Sequence, residues 1–256
     1  MDLKLTGKIA LVTGTGSQVG FGKGIAEMLA REGCDVICAD IDLPGAEQTA
    51  AAVSKLGRKG LAVEVDIADR ASVDAAVKQA LGAFDHIDIL VNCAGKASGI
   101  RPFVEMPPEL WDTDINVNLR GTMNMTQALL PHMLGRKYGK IVNFSTHAAH
   151  QPGGLAGAAV YIAAKSGTVM FSKTLSTEVG KEGININVVA PGPGATNFHR
   201  VAVEGSDPSM AKLVDGLAAA DKTTTPEDIA NAVAFLVSDV SSKWLGQVIE
   251  VAGPLR

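Results

Sequence analysis

Residues 8–26 read KIALVTGTGSQVGFGKGIA: a short apolar run, then a glycine-rich turn that passes directly into a helix-like segment. An apolar run without alternation suits a strand buried on both faces, as in a parallel sheet. Glycines at the end of such a strand let the main chain approach a pyrophosphate, and the first turn of the following helix offers it unpaired N–H groups. A glycine-rich turn alone says little. Between the first strand and first helix of an alternating chain, it points to a dinucleotide.

That alternation continues outward from the turn. Strand-like runs occur at 8–13, 35–40, 61–65, 88–92, 140–145, 186–190 and 247–251, with helix-like stretches at 22–32, 44–56, 70–83, 108–136, 156–180 and 226–238. Strands separated by helices read as an α/β, doubly wound (Rossmann-type) seven-stranded parallel sheet with helices on both faces and a ligand crevice at the strand C-terminal ends. No linker-like tract interrupts the rhythm, so residues 1–256 read as a single domain. Only 197–225 escapes it. With Gly205, Pro208 and two short helical patches, it reads as a substrate-binding flap whose Phe198, Val201, Val203, Met210 and Leu213 would meet an apolar part of the substrate.

The 256 residues are 46% hydrophobic and carry a net charge of −4, with the signs interspersed. Without a basic stripe, nucleic acid and anionic membrane surfaces are poor partners. No apolar stretch reaches the roughly 18 residues of a spanning helix, and no signal-type run precedes the first strand, so the cytoplasm is the expected compartment. Cys34, Cys38 and Cys93 form no CxxC pair and read as buried reduced thiols. His147 and His150, three apart with no carboxylate pattern around them, make no zinc site, and no metal is expected.

Tyr161-Ile162-Ala163-Ala164-Lys165 lies in one helix-like stretch. A four-residue gap places both side chains on one face, about 5–6 Å apart at Cβ. An ammonium beside a phenol favours phenolate and would lower its pKa toward neutrality, giving the proton donor and acceptor that redox chemistry at an alcohol or ketone needs. Asp40 ends the second strand, where a carboxylate can accept both ribose hydroxyls of an adenosine and repel a 2′-phosphate. Neither Thr15, Ala39 nor Ile41 supplies a cation for that phosphate, so the cofactor reads as NAD. Asp66 and Ile67 follow the third strand and Asn92-Cys93-Ala94-Gly95 the fourth, both at crevice ends; Asp66 can accept from an adenine amino group, and Ala94 and Gly95 leave room for its ribose.

Taken in order, these landmarks resemble the short-chain dehydrogenase/reductase family over residues 5–253. They are the Thr13-Gly14 loop with Gly20 and Gly22, Asp66, NCAG at 92–95, Asn118 in NVNLRG, YIAAK, Pro191-Gly192 with Thr196, PEDIANAVAFLVSD at 226–239 and the terminal GQVIEVAG. The resemblance implies that Tyr161 exchanges a proton with the substrate oxygen. It implies that Lys165 lowers the tyrosine pKa and holds the nicotinamide ribose, and that Asn118 anchors a water behind Lys165. Pro191, Gly192 and Thr196 would line the nicotinamide. It also implies a homotetramer of 222 symmetry built on the 108–136 and 156–180 helices and the last strand.

Two departures stand out. Against the family's TGxxxGxG loop, the gap between Gly14 and the Gly20-x-Gly22 pair is two residues longer here, a length that resembles the enoyl-reductase branch, although that branch spaces its tyrosine and lysine more widely. Read equally as TGTGSQVG, the motif carries Gln18 in place of a glycine. The family's serine thirteen residues before the tyrosine is replaced by Ala148. Aligned from the fifth strand, NFST at 143–146 offers Thr146 as the hydroxyl that bonds the substrate oxygen, with Ser145 as the fallback. The expected activity is hydride transfer between NAD(H) and a secondary alcohol or ketone. The alternatives are reduction of a conjugated double bond, or a non-catalytic dinucleotide-binding or redox-sensing protein on the same fold.

Overall fold

In a computed structural model that describes residues 2–194, 196 and 224–253, the chain order is β1 (Ile9–Thr13), α1 (Phe21–Arg31), β2 (Asp35–Asp40), α2 (Leu43–Lys55), β3 (Gly60–Glu64), α3 (Arg70–Ala83) and β4 (Ile89–Asn92). It continues through α4 (Pro108–Ile115), α5 (Gly121–Arg136), β5 (Gly139–Phe144), α6 (Ala159–Val179), β6 (Ile184–Pro191), α7 (Pro226–Val237) and β7 (Val248–Val251). The seven strands form one parallel sheet in the order β3-β2-β1-β4-β5-β6-β7. From β1 the chain winds outward through β2 and β3, then returns to β4 on the other side of β1. The C-terminal ends of β1 and β4 are therefore the switch point where a doubly wound sheet opens a crevice.

Strand periodicity divides the core between two layers. Ala10 and Val12 of β1 face α1 and α7 with Ile25, Leu29, Ile229 and Val233, while Ile9 and Leu11 face α3 and α5 with Val73, Val77, Leu129 and Met133. All eight residues of β6 are buried, including Asn185 and Asn187, whose amides donate to the carbonyls of Ser242 and Trp244 at 2.9–3.1 Å. Those polar side chains replace main-chain partners that the loop before β7 cannot find in the sheet.

The 108–136 stretch expected as one helix is helical over Pro108–Arg136 but not α-helical throughout. A π-turn, Asn116–Arg120, separates α4 from α5. Asn118 Nδ2 donates to the carbonyl of Asp114 at 2.8 Å and to that of Lys96 at 2.6 Å, so a side chain has entered the helix's hydrogen-bond ladder and tied it to the segment after β4. The helix expected from 156 begins at Ala159. Most of the flap, 197–223 with Phe198, Val201, Val203, Met210 and Leu213, lies outside the described residues. Its two ends do meet: Gly194 bridges Thr224, and Thr224 Oγ1 donates to Val251 O at 3.0 Å. Among the described residues no helix is long and apolar enough to cross a membrane.

Gly22 is where α1 packs on the loop after β1, and a Cβ there would lie 2.1 Å from Gly14 O. Gly82, on α3, has nothing within 4 Å of the same position. Gly22→Ala should therefore destabilise by about 1–3 kcal/mol through overpacking, whereas Gly82→Ala should stabilise by about 0.4–1 kcal/mol. Thermal melts of the two variants should move in opposite directions; equal shifts would show that α1 does not approach the loop this closely.

Candidate active site

The switch point carries a cleft of about 730 Å³. It runs from Asp40, Ile41, Asp66, Ile67 and Ala68 at one end, past Gly14, Gly20, Ala94 and Gly95, to Ser145, Thr146, Tyr161, Lys165, Pro191, Gly192 and Thr196 at the other. Close main-chain approach builds its floor. Gly14 has φ +79°, and a Cβ on it would lie 2.8 Å from the main chain of Ala94. Thr13 Oγ1 accepts from Ala94 N at 3.1 Å, which ties the two loops together. A bare main-chain cradle ending at a carboxylate, Asp40, suits an elongated dinucleotide.

Three residues expected at the site stand behind the cleft instead of lining it. Gly22 faces Gly14. Asn92 is buried, and its Nδ2 donates to Thr126 Oγ1 at 3.1 Å and Asn143 Oδ1 at 2.8 Å. Asn118 is fully buried, and its Oδ1 accepts from Lys96 N at 3.2 Å. A Cβ on Gly95 would meet Asn118 Oδ1 at 3.0 Å and Lys165 Nζ at 3.3 Å, so carboxamide and ammonium converge on one side-chain-free point. This is the geometry in which a small bridging group can serve both.

Lys165 Nζ donates to Phe144 O at 2.9 Å and stands 5.9 Å from the centre of the Tyr161 ring. Burial lowers the Lys165 pKa to about 8. The tyrosine departs from the expected direction: burial raises its pKa, and the buried carboxylate of Asp114 adds to the rise. The physical reason is that the lysine's hydrogen bond goes to a strand-end carbonyl, while loss of solvent opposes the phenolate.

A family model described as enoyl-(acyl carrier protein) reductase matches residues 14–254. The chain is 38% identical over 248 residues to the (2S)-[(R)-hydroxy(phenyl)methyl]succinyl-CoA dehydrogenase subunit BbsD of Thauera aromatica, covering 96% of this chain and 95% of that one. It is 36% identical to the 3-oxoacyl-[acyl-carrier-protein] reductase FabG of Haemophilus influenzae, covering 98% and 99%. The crystal structure of 3-ketoacyl-(acyl-carrier-protein) reductase from Brucella melitensis complexed with NADH superposes with a TM-score of 0.87 at 33% identity, covering 98% and 99%. The chain belongs to the short-chain dehydrogenase/reductase family. It is an oxidoreductase of the kind that transfers hydride with a nicotinamide dinucleotide.

In this dehydrogenase/reductase the two candidate hydroxyls are engaged differently. Ser145 is buried, and its Oγ donates to Lys165 O at 3.2 Å, which ties β5 to α6. Thr146 is half-buried on the cleft wall, in extended conformation just before a short 3₁₀ turn at His147–His150. His147 Nδ1 contacts Glu250 Oε2 at 2.5 Å and pins that turn to β7. Sequence reasoning missed Asp114, whose Oδ1 accepts from Ser98 N at 2.8 Å and whose pKa burial raises. Its position four residues before Asn118, on the same helix face, was the available signal.

If the Thr146 hydroxyl orients the substrate oxygen, Thr146→Val should lower kcat by ~10²–10³-fold, since Val keeps the branched shape and removes the donor. Ser145→Ala should cost far less turnover and appear mainly as lower stability. Steady-state kinetics giving the reverse ranking would exchange the two assignments.

Proposed function

We propose that the protein is an NAD-dependent dehydrogenase/reductase that interconverts a secondary alcohol and its ketone. The observation carrying this reading is that Thr146, Tyr161 and Lys165 share one cleft with Gly14 and Asp40, at the switch point of the sheet. A nicotinamide dinucleotide supplies or accepts the hydride. The chain's own residues handle the proton and the geometry. Thr146 donates a hydrogen bond to the substrate oxygen, and Tyr161 exchanges a proton with that oxygen. A phenol held above its ordinary pKa keeps its proton at neutral pH and is ready to give it to a forming alkoxide. Lys165 holds the nicotinamide ribose and favours the phenolate as it forms. Asn118 positions Lys96 and turns its Oδ1 toward the Lys165 ammonium, where its second lone pair can anchor a water. Pro191, Gly192 and Thr196 line the nicotinamide, and Asp40 takes the adenosine ribose.

Double-bond reduction is the second reading, supported by the longer glycine loop and the description of the matching family model. The four-residue spacing of Tyr161 and Lys165 favours the alcohol–ketone reaction. Two relatives are named for acyl groups on coenzyme A or acyl carrier protein, so 3-oxoacyl thioesters belong in the substrate panel beside cyclic and aryl secondary alcohols. With the fold we propose a homotetramer. Exposed Ile115, Met123 and Met170 on α4, α5 and α6 are the apolar surface that twofold contacts would cover, and sedimentation as a monomer at micromolar concentration would reject it.

Absorbance of reduced nicotinamide, followed with each substrate class, separates the readings. Tyr161→Phe should lose ~10²–10⁴-fold in turnover while NADH binding stays nearly intact. NADH should bind at least about tenfold more tightly than NADPH, about 1.4 kcal/mol. A Tyr161→Phe enzyme retaining more than half its activity would remove the proton-transfer assignment, and equal affinity for the two cofactors would remove the NAD assignment.

A further inference from the structure

Within the lengthened glycine loop, Gln18 builds an arch whose side-chain hydrogen bonds fall on the loop itself and on α2, at the adenosine end of the cleft. Gln18 Nε2 donates to Gly16 O at 3.0 Å and Gly45 O at 2.9 Å, and reaches Thr49 Oγ1 at 3.4 Å. Thr49 Oγ1 donates in turn to Thr15 O at 2.7 Å. Gly45 and Thr49 are one turn apart on α2, so the arch lies against that helix's first turns. The fit is close enough that a Cβ on Gly45 would lie 2.3 Å from Gly16 O.

The same contacts engage Asp40. Its Oδ2 accepts from Gly16 N at 2.7 Å and its Oδ1 from Asp42 N at 3.0 Å. The start of α2, which by its dipole and free N–H groups would be the natural seat for a 2′-phosphate beside Asp40, is closed three times over. Asp42 caps it with a second carboxylate, accepting from Gly45 N at 3.2 Å. Pro44 has no N–H to offer. Gly16 and Gln18 cover the turn from above.

Resting on the NAD reading, we infer that the Gln18 arch and Asp42 are specificity-determining elements that exclude a 2′-phosphate independently of Asp40. Gln18 acts as a positioning residue: it fixes the loop whose Gly16 N–H orients the Asp40 carboxylate, leaving the second lone pair of each oxygen for the ribose hydroxyls. Removing the Asp40 charge alone then weakens ribose binding without making room for phosphate.

The test is calorimetric titration with adenosine 5′-monophosphate and adenosine 2′,5′-bisphosphate, with thermal melts as a check on folding. Wild type should prefer the monophosphate at least tenfold. Asp40→Ser should lower monophosphate affinity, yet retain more than threefold preference and gain no bisphosphate affinity. Asp40→Ser and Asp42→Ser combined with deletion of Gln18 and Val19, which restores the TGxxxGxG length, should bring the two ligands within twofold. If the shortened loop does not fold, the Asp40→Ser/Asp42→Ser pair carries the test and should still discriminate more than threefold because the arch remains. Equal binding of the two ligands to Asp40→Ser, or to that pair, would overturn the inference while leaving the NAD reading in place. Equal binding to wild type would instead overturn the NAD reading itself.

Discussion

Gly22 and Gly14 bring α1 so close to the end of β1 that no side chain fits between them, and Gly14 brings that same turn onto the main chain of Ala94. This contact of bare backbone with bare backbone sets the depth of the cleft. Any Cβ at these positions would lift the loop from the sheet edge or separate β1 from β4. The distance from Asp40 to Tyr161 along the cleft would then change, and with it the register between a cofactor's adenosine end and its reacting end. The packing of α1 against α7 and of β1 between β2 and β4 can be understood as support for that approach.

A second constraint runs through Asn118. Its carboxamide bonds both the N–H and the carbonyl of Lys96, and its own carbonyl accepts from Thr122 at 3.0 Å and Thr168 at 3.2 Å. One residue thus couples the segment after β4, the π-turn between α4 and α5, and α6, which carries Tyr161 and Lys165. The irregular turn is the physical consequence of using a helix side chain to hold a loop. It places the π-turn beside the chemistry, where such turns recur.

The sheet was legible because its strands are short apolar runs with turns between them, and each predicted strand lies within one or two residues of its observed place. The π-turn was not legible: NVNLRG has ordinary helix-forming spacing, and only the tertiary bonds of Asn118 pull it out of register. Ser145 and Thr146 could be ranked only by alignment, since one step along a strand reverses the face. The structure distinguishes their partners because Ser145 reaches a helix carbonyl that is far away in sequence. The loop's extra length was visible, but its use was not. Nothing local says that Gln18 would bridge to Gly45 and Thr49, about thirty residues on.

The tyrosine's direction shows what a helical spacing can and cannot imply. Spacing places an ammonium near a phenol, but loss of solvent, with the Asp114 carboxylate adding to it, sets the direction of the tyrosine's shift in the resting site. The lysine still contributes at the moment of reaction. Its ammonium stands 5.9 Å from the centre of the phenol ring, close enough to favour negative charge as it develops there. A neutral phenol gains almost nothing from the same charge. The interaction is therefore concentrated in the transition state, where it accelerates the step without tightening the ground state. Burial of Lys165 sets the limit on this effect: with its pKa lowered to about 8, the cation is retained at neutral pH and lost as the pH rises through that value.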